Sequence, residues 1–310
     1  MKNDQVILIN GFGRGGTNIV WNLLQSHPSV CSALYETGEI LYPMPRRRGG
    51  WGMIRRFLAD VVPPRAFLRR AVGNWVDSRL FELKLRNLDD PDNRFKAEGV
   101  LYSREEVAAA ALCLKSINED IALTRFFASI YPDLSIVGVL RNGYALCDGW
   151  TRRGKSAREI ARLYRRYGEM MIEDSARYPR YRLIRFEDVL ADPFRVSAEL
   201  NRFAGLEPAV LDRLRLKSKR VVSESGRHEA RYGEENVKYW FDRETIQSAL
   251  DASIDRIQVG RMTDEDRAVF EKEAKPVLDH FGYAWADPGD APLRGQAQAA
   301  GSPDTGRRSR

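Results

Sequence analysis

The densest chemistry in the chain is the run GFGRGGTN at residues 11–18. It follows the apolar stretch VILI at 6–9 and leads into NIVWNLLQ at 18–25, where apolar residues recur at helical spacing until Ser26-His27-Pro28. A glycine-rich turn between a strand and a helix presents backbone N–H groups at the positive end of the helix dipole, which suits an anion. Three readings of the run compete. As the phosphate loop of a nucleoside triphosphatase it lacks its lysine, because Gly16 is followed by Thr17 and Asn18. As a dinucleotide-binding loop it matches GxGxxG through Gly11, Gly13 and Gly16, and Glu36 stands 20 residues past Gly16, where a ribose-binding acid belongs. That motif has no task for Arg14 or Thr17, and the stretch from His27 to Glu36 makes a poor second strand for a compact βαβ unit. As a turn without a ligand it would carry three glycines and an arginine at one helix start, a costly choice with no return.

The elements around this loop read as alternating strand and helix. SIVGVL at 135–140 is a second buried strand, YRLIRFEDV at 181–189 supplies a third strand and a turn, and helical patterns run over Tyr144–Arg152, Ala157–Arg177, Glu199–Leu216 and Asp264–Phe281. From Arg104 to Tyr131 the pattern is helical with a break near Ser116 to Asn118. Such alternation predicts a parallel sheet covered by helices. Residues 46–87 are rich in Arg and Trp, with the clusters Arg46-Arg47-Arg48, Arg55-Arg56 and Arg69-Arg70 around the breaker Pro63-Pro64, and read as a helical insertion or lid. Residues 288–310, rich in Gly, Pro, Ala and Arg, read as a disordered tail.

Composition narrows the partners. A net charge of +7 favours anionic ligands weakly, and without a DNA- or RNA-reading motif a nucleic-acid partner is not expected. Three widely spaced cysteines, Cys31, Cys113 and Cys147, suggest neither a disulfide framework nor a zinc site. No apolar run reaches the roughly 20 residues of a membrane span, and nothing at the start reads as a signal peptide, so a cytoplasmic protein is expected.

Several motifs together resemble the sulfotransferases that use 3′-phosphoadenosine 5′-phosphosulfate (PAPS). Their 5′-phosphosulfate loop has a basic residue, a small residue, Gly, Thr and Thr after the first strand, and Arg14, Gly15, Gly16, Thr17 and Asn18 look like that run, with an amide in place of the last hydroxyl. Their 3′-phosphate motif has an arginine at a strand end and a serine about eight residues later. Arg141 resembles the arginine, while the serine position falls on Gly149, leaving Arg152 or the loop glycines to help hold the phosphate. RFEDVLADP at 185–193, GEENVKYW at 233–240 and HFGYAW at 280–285 are similar to later family segments in the same order.

The resemblance implies roles. Arg14 with the N–H groups of Gly15 to Asn18 would hold the 5′-phosphate and steady the charge that develops on it, with Gly13 also lining the donor site. HPSVCSALYETGE at 27–39 resembles the stretch of tyrosylprotein-type members that carries a glutamate base before a threonine, which points to Glu36, with Glu39 as the alternative. Lys115 would approach the migrating sulfuryl group, and Lys238 and Arg227 would reach the 3′-phosphate from the late loop. No metal is required, since the migrating group carries little charge of its own. The sequence therefore points to an α/β, P-loop-like three-layer fold over residues 1–287, with a central parallel sheet and an inserted basic helical segment at 46–87. Its expected activity is sulfuryl transfer from PAPS to a hydroxyl or amine of a carbohydrate, a lipid or another hydroxyl compound. The arginine clusters also suit peripheral contact with a membrane surface. An NAD-dependent oxidoreductase and a non-catalytic nucleotide- or glycan-binding module remain as alternatives.

Overall fold

The structure is a computed structural model, and it describes residues 1–42, 50–209, 211–218, 220–222, 228–230 and 232–285. The chain divides into two compact units, one of Met1–Arg141 with Arg166–Ile254 and one of Asn142–Arg165 with Asp255–Arg310. In chain order the elements are β1 (Val6–Gly11), α1 (Thr17–Leu24), β2 (Val30–Ser32), α2 (Thr37–Leu41), α3 (Trp51–Arg56), α4 (Ala66–Leu85), β3 (Phe95–Ala97) and β4 (Val100–Leu101). Then come α5 (Arg104–Ala109), β5 (Ala111–Ile117), α6 (Thr124–Ile130), β6 (Ser135–Leu140), α7 (Gly143–Thr151), α8 (Ala157–Arg177), β7 (Tyr181–Arg185), α9 (Phe186–Ala191) and α10 (Pro193–Phe203). The last are β8 (Leu214–Lys217), β9 (Arg220–Val222), β10 (His228–Ala230), β11 (Lys238–Phe241), α11 (Ile246–Ala249), α12 (Ile254–Gly260) and α13 (Asp264–Phe281).

The first unit is built on a parallel five-stranded sheet in the order β2-β5-β1-β6-β7. All six residues of β1 and of β6 are buried, which is the signature of strands covered on both faces. Alternate side chains still divide between two cores. Ile7, Ile9, Cys113, Val137 and Val139 join Val20, Leu23 and Leu200 on one side, while Val6, Leu8, Leu112, Leu114 and Ile136 join Val76, Leu80, Phe126 and Phe127 on the other. This is the α/β architecture expected from the sequence.

Two expected helices are corrected. Residues 111–117, ALCLKSI, form the strand β5 beside β1 instead of continuing a helix from Arg104. A strand buried on both faces shows no alternation, so its apolar run is indistinguishable by pattern from a buried helix. Likewise the pattern over Glu199–Leu216 splits, with α10 ending at Phe203 and Leu214–Lys217 pairing antiparallel with β11. The segment from Trp51 to Leu85 forms two helical stretches, residues 51–61 and α4, interrupted at residues 62–65 around Pro63-Pro64. The cluster Arg46-Arg47-Arg48 and residues 288–310 lie outside the described residues.

A buried aspartate ties α4 to the start of the chain. Asp77 accepts hydrogen bonds from the Lys2 and Asn3 N–H groups, the Asn3 amide and the Tyr131 hydroxyl. Burial raises its pKa, but these four donors outweigh that and hold the carboxyl below its usual range. In the second unit, Gly143 lies so close to Tyr164, Leu278 and Phe270 that a β-carbon there would fall within 3.0 Å of each. No helix among the described residues is long and apolar enough to cross a membrane.

Asp174 on α8 is a buried carboxyl of the opposite kind. Burial pushes its pKa from 3.8 up to about 6, although Arg177 and Arg125 pull the other way. A carboxyl whose folded pKa is raised favours folding fully below 3.8, and that stability is lost as the pH rises to about 6. The shift corresponds to about 3 kcal/mol at most. Asp174→Asn is therefore expected to gain on the wild type as the pH climbs through that window, read as the difference between urea midpoints. A difference independent of pH would contradict this.

Candidate active site

The loop between β1 and α1 is held in a strained shape by three contacts from elsewhere in the fold. Its turn closes through the Gly15 N–H on the Phe12 carbonyl at 2.9 Å. Arg14 and Gly16 both take left-handed backbone, with φ of 71° and 89°. Such a conformation costs a non-glycine residue about 1 kcal/mol or more, so something must hold Arg14 there. Arg141, at the end of β6, donates Nη1–H to the Arg14 carbonyl at 2.6 Å, and Asn118, after β5, accepts from the Gly13 N–H at 2.8 Å. The Phe186 ring packs under Gly16, where a β-carbon would lie 2.1 Å from the ring, and the Arg141 guanidinium sits 5.0 Å over the same ring. α1 then begins at buried Thr17 with no side-chain cap and no acid in its first turn, and the Arg14 side chain is exposed. A helix start of this kind suits an anion chemically.

A second cluster assembles where β5, α1 and α2 meet. Lys115 is only 2% exposed, near the end of β5. Its Nζ lies 2.9 Å from Glu36 Oε1, donates to Asn18 Oδ1 and sits 4.6 Å over the Trp21 ring. Burial lowers the Lys115 pKa, and Glu36 offsets part of that by stabilising the ammonium. Glu39 has a different task, since its Oε2 accepts the Glu36 N–H at 3.1 Å and closes the first turn of α2. Thr37 and Ser116 share a buried hydrogen bond of 2.7 Å that joins α2 to β5.

Asn18, Trp21, Glu36, Glu39, Lys115 and Lys238 line one cavity of about 220 Å³. Lys238 donates there to Gln25 Oε1 at 3.1 Å and to Asn93 Oδ1. Burial, with Arg215 and Lys217 adding to it, holds its pKa well below the lysine range. The cavity thus combines a carboxylate, a buried ammonium and amides, a set able to take a proton from a hydroxyl and to face a group bearing anionic oxygens.

The expected site residues fall into two neighbouring groups joined by α1. Gly13, Arg14, Gly15, Gly16, Thr17 and Arg141 make the loop, whereas Asn18, Glu36, Lys115 and Lys238 meet around the cavity. Gly149 and Arg152 belong to the second unit, and Arg227 lies outside the described residues. His27 is buried, with Nε2 2.9 Å from the Glu207 carbonyl. Sequence reading overlooked Asn118, Phe186 and Trp21. The only local trace of the first is that asparagine tolerates the left-handed backbone it adopts, φ 53°.

The sequence profile described as Sulfotransferase family matches residues 6–209. No curated protein matches the chain. Among solved structures, the sulfotransferase domain of the olefin synthase of Synechococcus PCC 7002 is similar with a TM-score of 0.53 at 14% identity, over 92% of this chain and 97% of that one. A sulfotransferase of Alicyclobacillus acidocaldarius shows a TM-score of 0.45 at 14% identity, over 91% and 99%. At such identity a likeness speaks to the fold alone, and only the first of these two is close enough to do so.

The contact between Gly16 and Phe186 can be tested by a double-mutant cycle. Gly16→Ala is expected to destabilise the protein by about 2 kcal/mol or more, through strained backbone and the clash with the ring. Adding Phe186→Ala should cost less than the sum of the two single changes in urea unfolding. Strict additivity would show that the ring does not shape the loop.

Proposed function

The chain belongs to the sulfotransferase family, and on that premise we propose that it transfers a sulfuryl group from PAPS to a hydroxyl group of an acceptor, with Glu36 as the base. The observation that carries this reading is the ion pair of Glu36 and Lys115 at 2.9 Å, bridged by Lys115 to Asn18 on the helix that follows the loop. It brings a proton acceptor, a cation and the loop helix to one place.

The residues present fit the donor. The uncapped start of α1 and the exposed Arg14 suit a 5′-phosphate, and Arg141 offers a guanidinium at the same loop for the 3′-phosphate. When bound, the donor supplies a sulfuryl group activated by its bond to that 5′-phosphate. Glu36 takes the proton as the acceptor oxygen bonds to sulfur, and the bond from sulfur to the phosphate oxygen breaks. Arg14 and the N–H groups of the first turn of α1 balance the charge arriving on the phosphate. Lys115 orients Glu36 and faces the oxygens of the migrating group, and its fixed position avoids a reorganisation cost during transfer.

Strand order weighs against the dinucleotide reading. That reading needs Glu36 to follow a strand adjacent to β1, yet β2 pairs with β5, and β1 lies between β5 and β6. Glu36 is moreover engaged with Lys115.

Calorimetric titration with 3′-phosphoadenosine 5′-phosphate, with 5′-AMP and NAD as controls, should show binding that needs the 3′-phosphate and is lost in Arg141→Ala. Binding of NAD in its place would overturn the donor assignment. Glu36→Gln should keep that affinity yet lower transfer of radiolabelled sulfate from PAPS, across a panel of phenols, sugars and lipids, by about 10²- to 10⁴-fold. Glu39→Gln should stay near wild type, because a glutamine oxygen still accepts the Glu36 N–H; the reverse pattern would move the base to Glu39. Arg14→Ala should reduce turnover about 10²-fold, much more than it weakens binding of the 3′,5′-bisphosphate product.

A further inference from the structure

The outward side of α4 carries aromatic rings where the solvent side of a helix ordinarily carries charge. Phe67 and Trp75 keep 81% and 60% of their surface exposed. With exposed Ala71 between them they recur at intervals of four residues, so they share one line along the helix surface. This line is not part of the core, because the inward side of α4 is filled by Gly73, Val76, Asp77 and Leu80, all buried.

Arginines flank the rings. Arg65 and Arg70 are exposed, Arg65 giving only Nη1 to the Val61 carbonyl. Between Arg65 and Ser78 the single acid is Asp77, which is 2% exposed and held by Asn3 and Tyr131. The first three turns of α4 therefore present aromatic and cationic groups with no exposed carboxylate among them. Aromatic rings beside arginines match the boundary of an anionic bilayer, where the rings enter the headgroup layer and the guanidinium groups meet lipid phosphates.

We propose that the outer face of α4 docks the protein on an anionic lipid surface, with Phe67 and Trp75 as the inserted groups and Arg65 and Arg70 as the electrostatic ones. The surface is separate from the candidate active site and does not depend on the transfer reaction.

Co-sedimentation of the full chain with vesicles of phosphatidylcholine, alone and mixed with phosphatidylglycerol, tests this. Binding is expected to the mixed vesicles and to weaken with added salt. Arg65→Gln with Arg70→Gln should weaken it about 25-fold, at about fivefold per arginine. Phe67→Ser with Trp75→Ser should abolish it, while circular dichroism and the titration with 3′-phosphoadenosine 5′-phosphate stay unchanged, since these side chains face solvent. Absence of binding to mixed vesicles, or binding unmoved by the aromatic changes, overturns the proposal. So does a sedimentation-velocity dimer that the aromatic changes dissociate without any vesicle binding, which would make the face a contact between two copies.

Discussion

A lysine ammonium withdrawn from water near the end of β5 sets the terms for everything around it. A buried charge is tolerated only when it is paired and hydrogen-bonded, and Lys115 satisfies this with the Glu36 carboxylate, the Asn18 amide and the face of Trp21. The partners stand on two other stretches of chain, Asn18 and Trp21 on α1 and Glu36 at the start of α2. Meeting the demand of one ammonium therefore fixes β5, α1 and α2 against one another. The same requirement keeps Glu36 inside the cavity and leaves Glu39 to complete the helix start.

The loop between β1 and α1 depends on a comparable borrowing from distant chain. Its left-handed Arg14 is held by Arg141 through the carbonyl, the neighbouring Gly13 by Asn118, and Gly16 by the flat surface of Phe186. These three come from the ends of β5, β6 and β7, the strands that lie with β1 in the sheet. The parallel arrangement puts all the strand ends on one edge, so the loop receives its supports from the order of strands. Strain stored at the loop is offset by contacts that the sheet supplies in any case.

The two faces of the sheet contribute differently. One buries α1 and α10 and so carries the loop helix, while the other buries α4 and α6. The lashing of Asp77 to Asn3 and Tyr131 holds α4 down by its inner side, which leaves Phe67 and Trp75 facing water on a rigid support. A firmly seated helix can present aromatic groups without collapsing onto them.

By itself the sequence determined the features that short-range physics encodes. The glycine spacing at 11–16, the continuous apolar runs of β1 and β6 and the amphipathic spans of α8 and α13 are local patterns, and the structure has them where the residues said. The tertiary structure alone decided that ALCLKSI is the strand next to β1, since a segment buried on both faces carries no period to read. It alone decided that Lys115 reaches Asn18 from 97 residues away, that Lys238 joins their cavity, and that Asn118 and Phe186 shape the loop. Those meetings follow from strand order and register, which arise from the packing of the whole chain and are written in no single stretch of it.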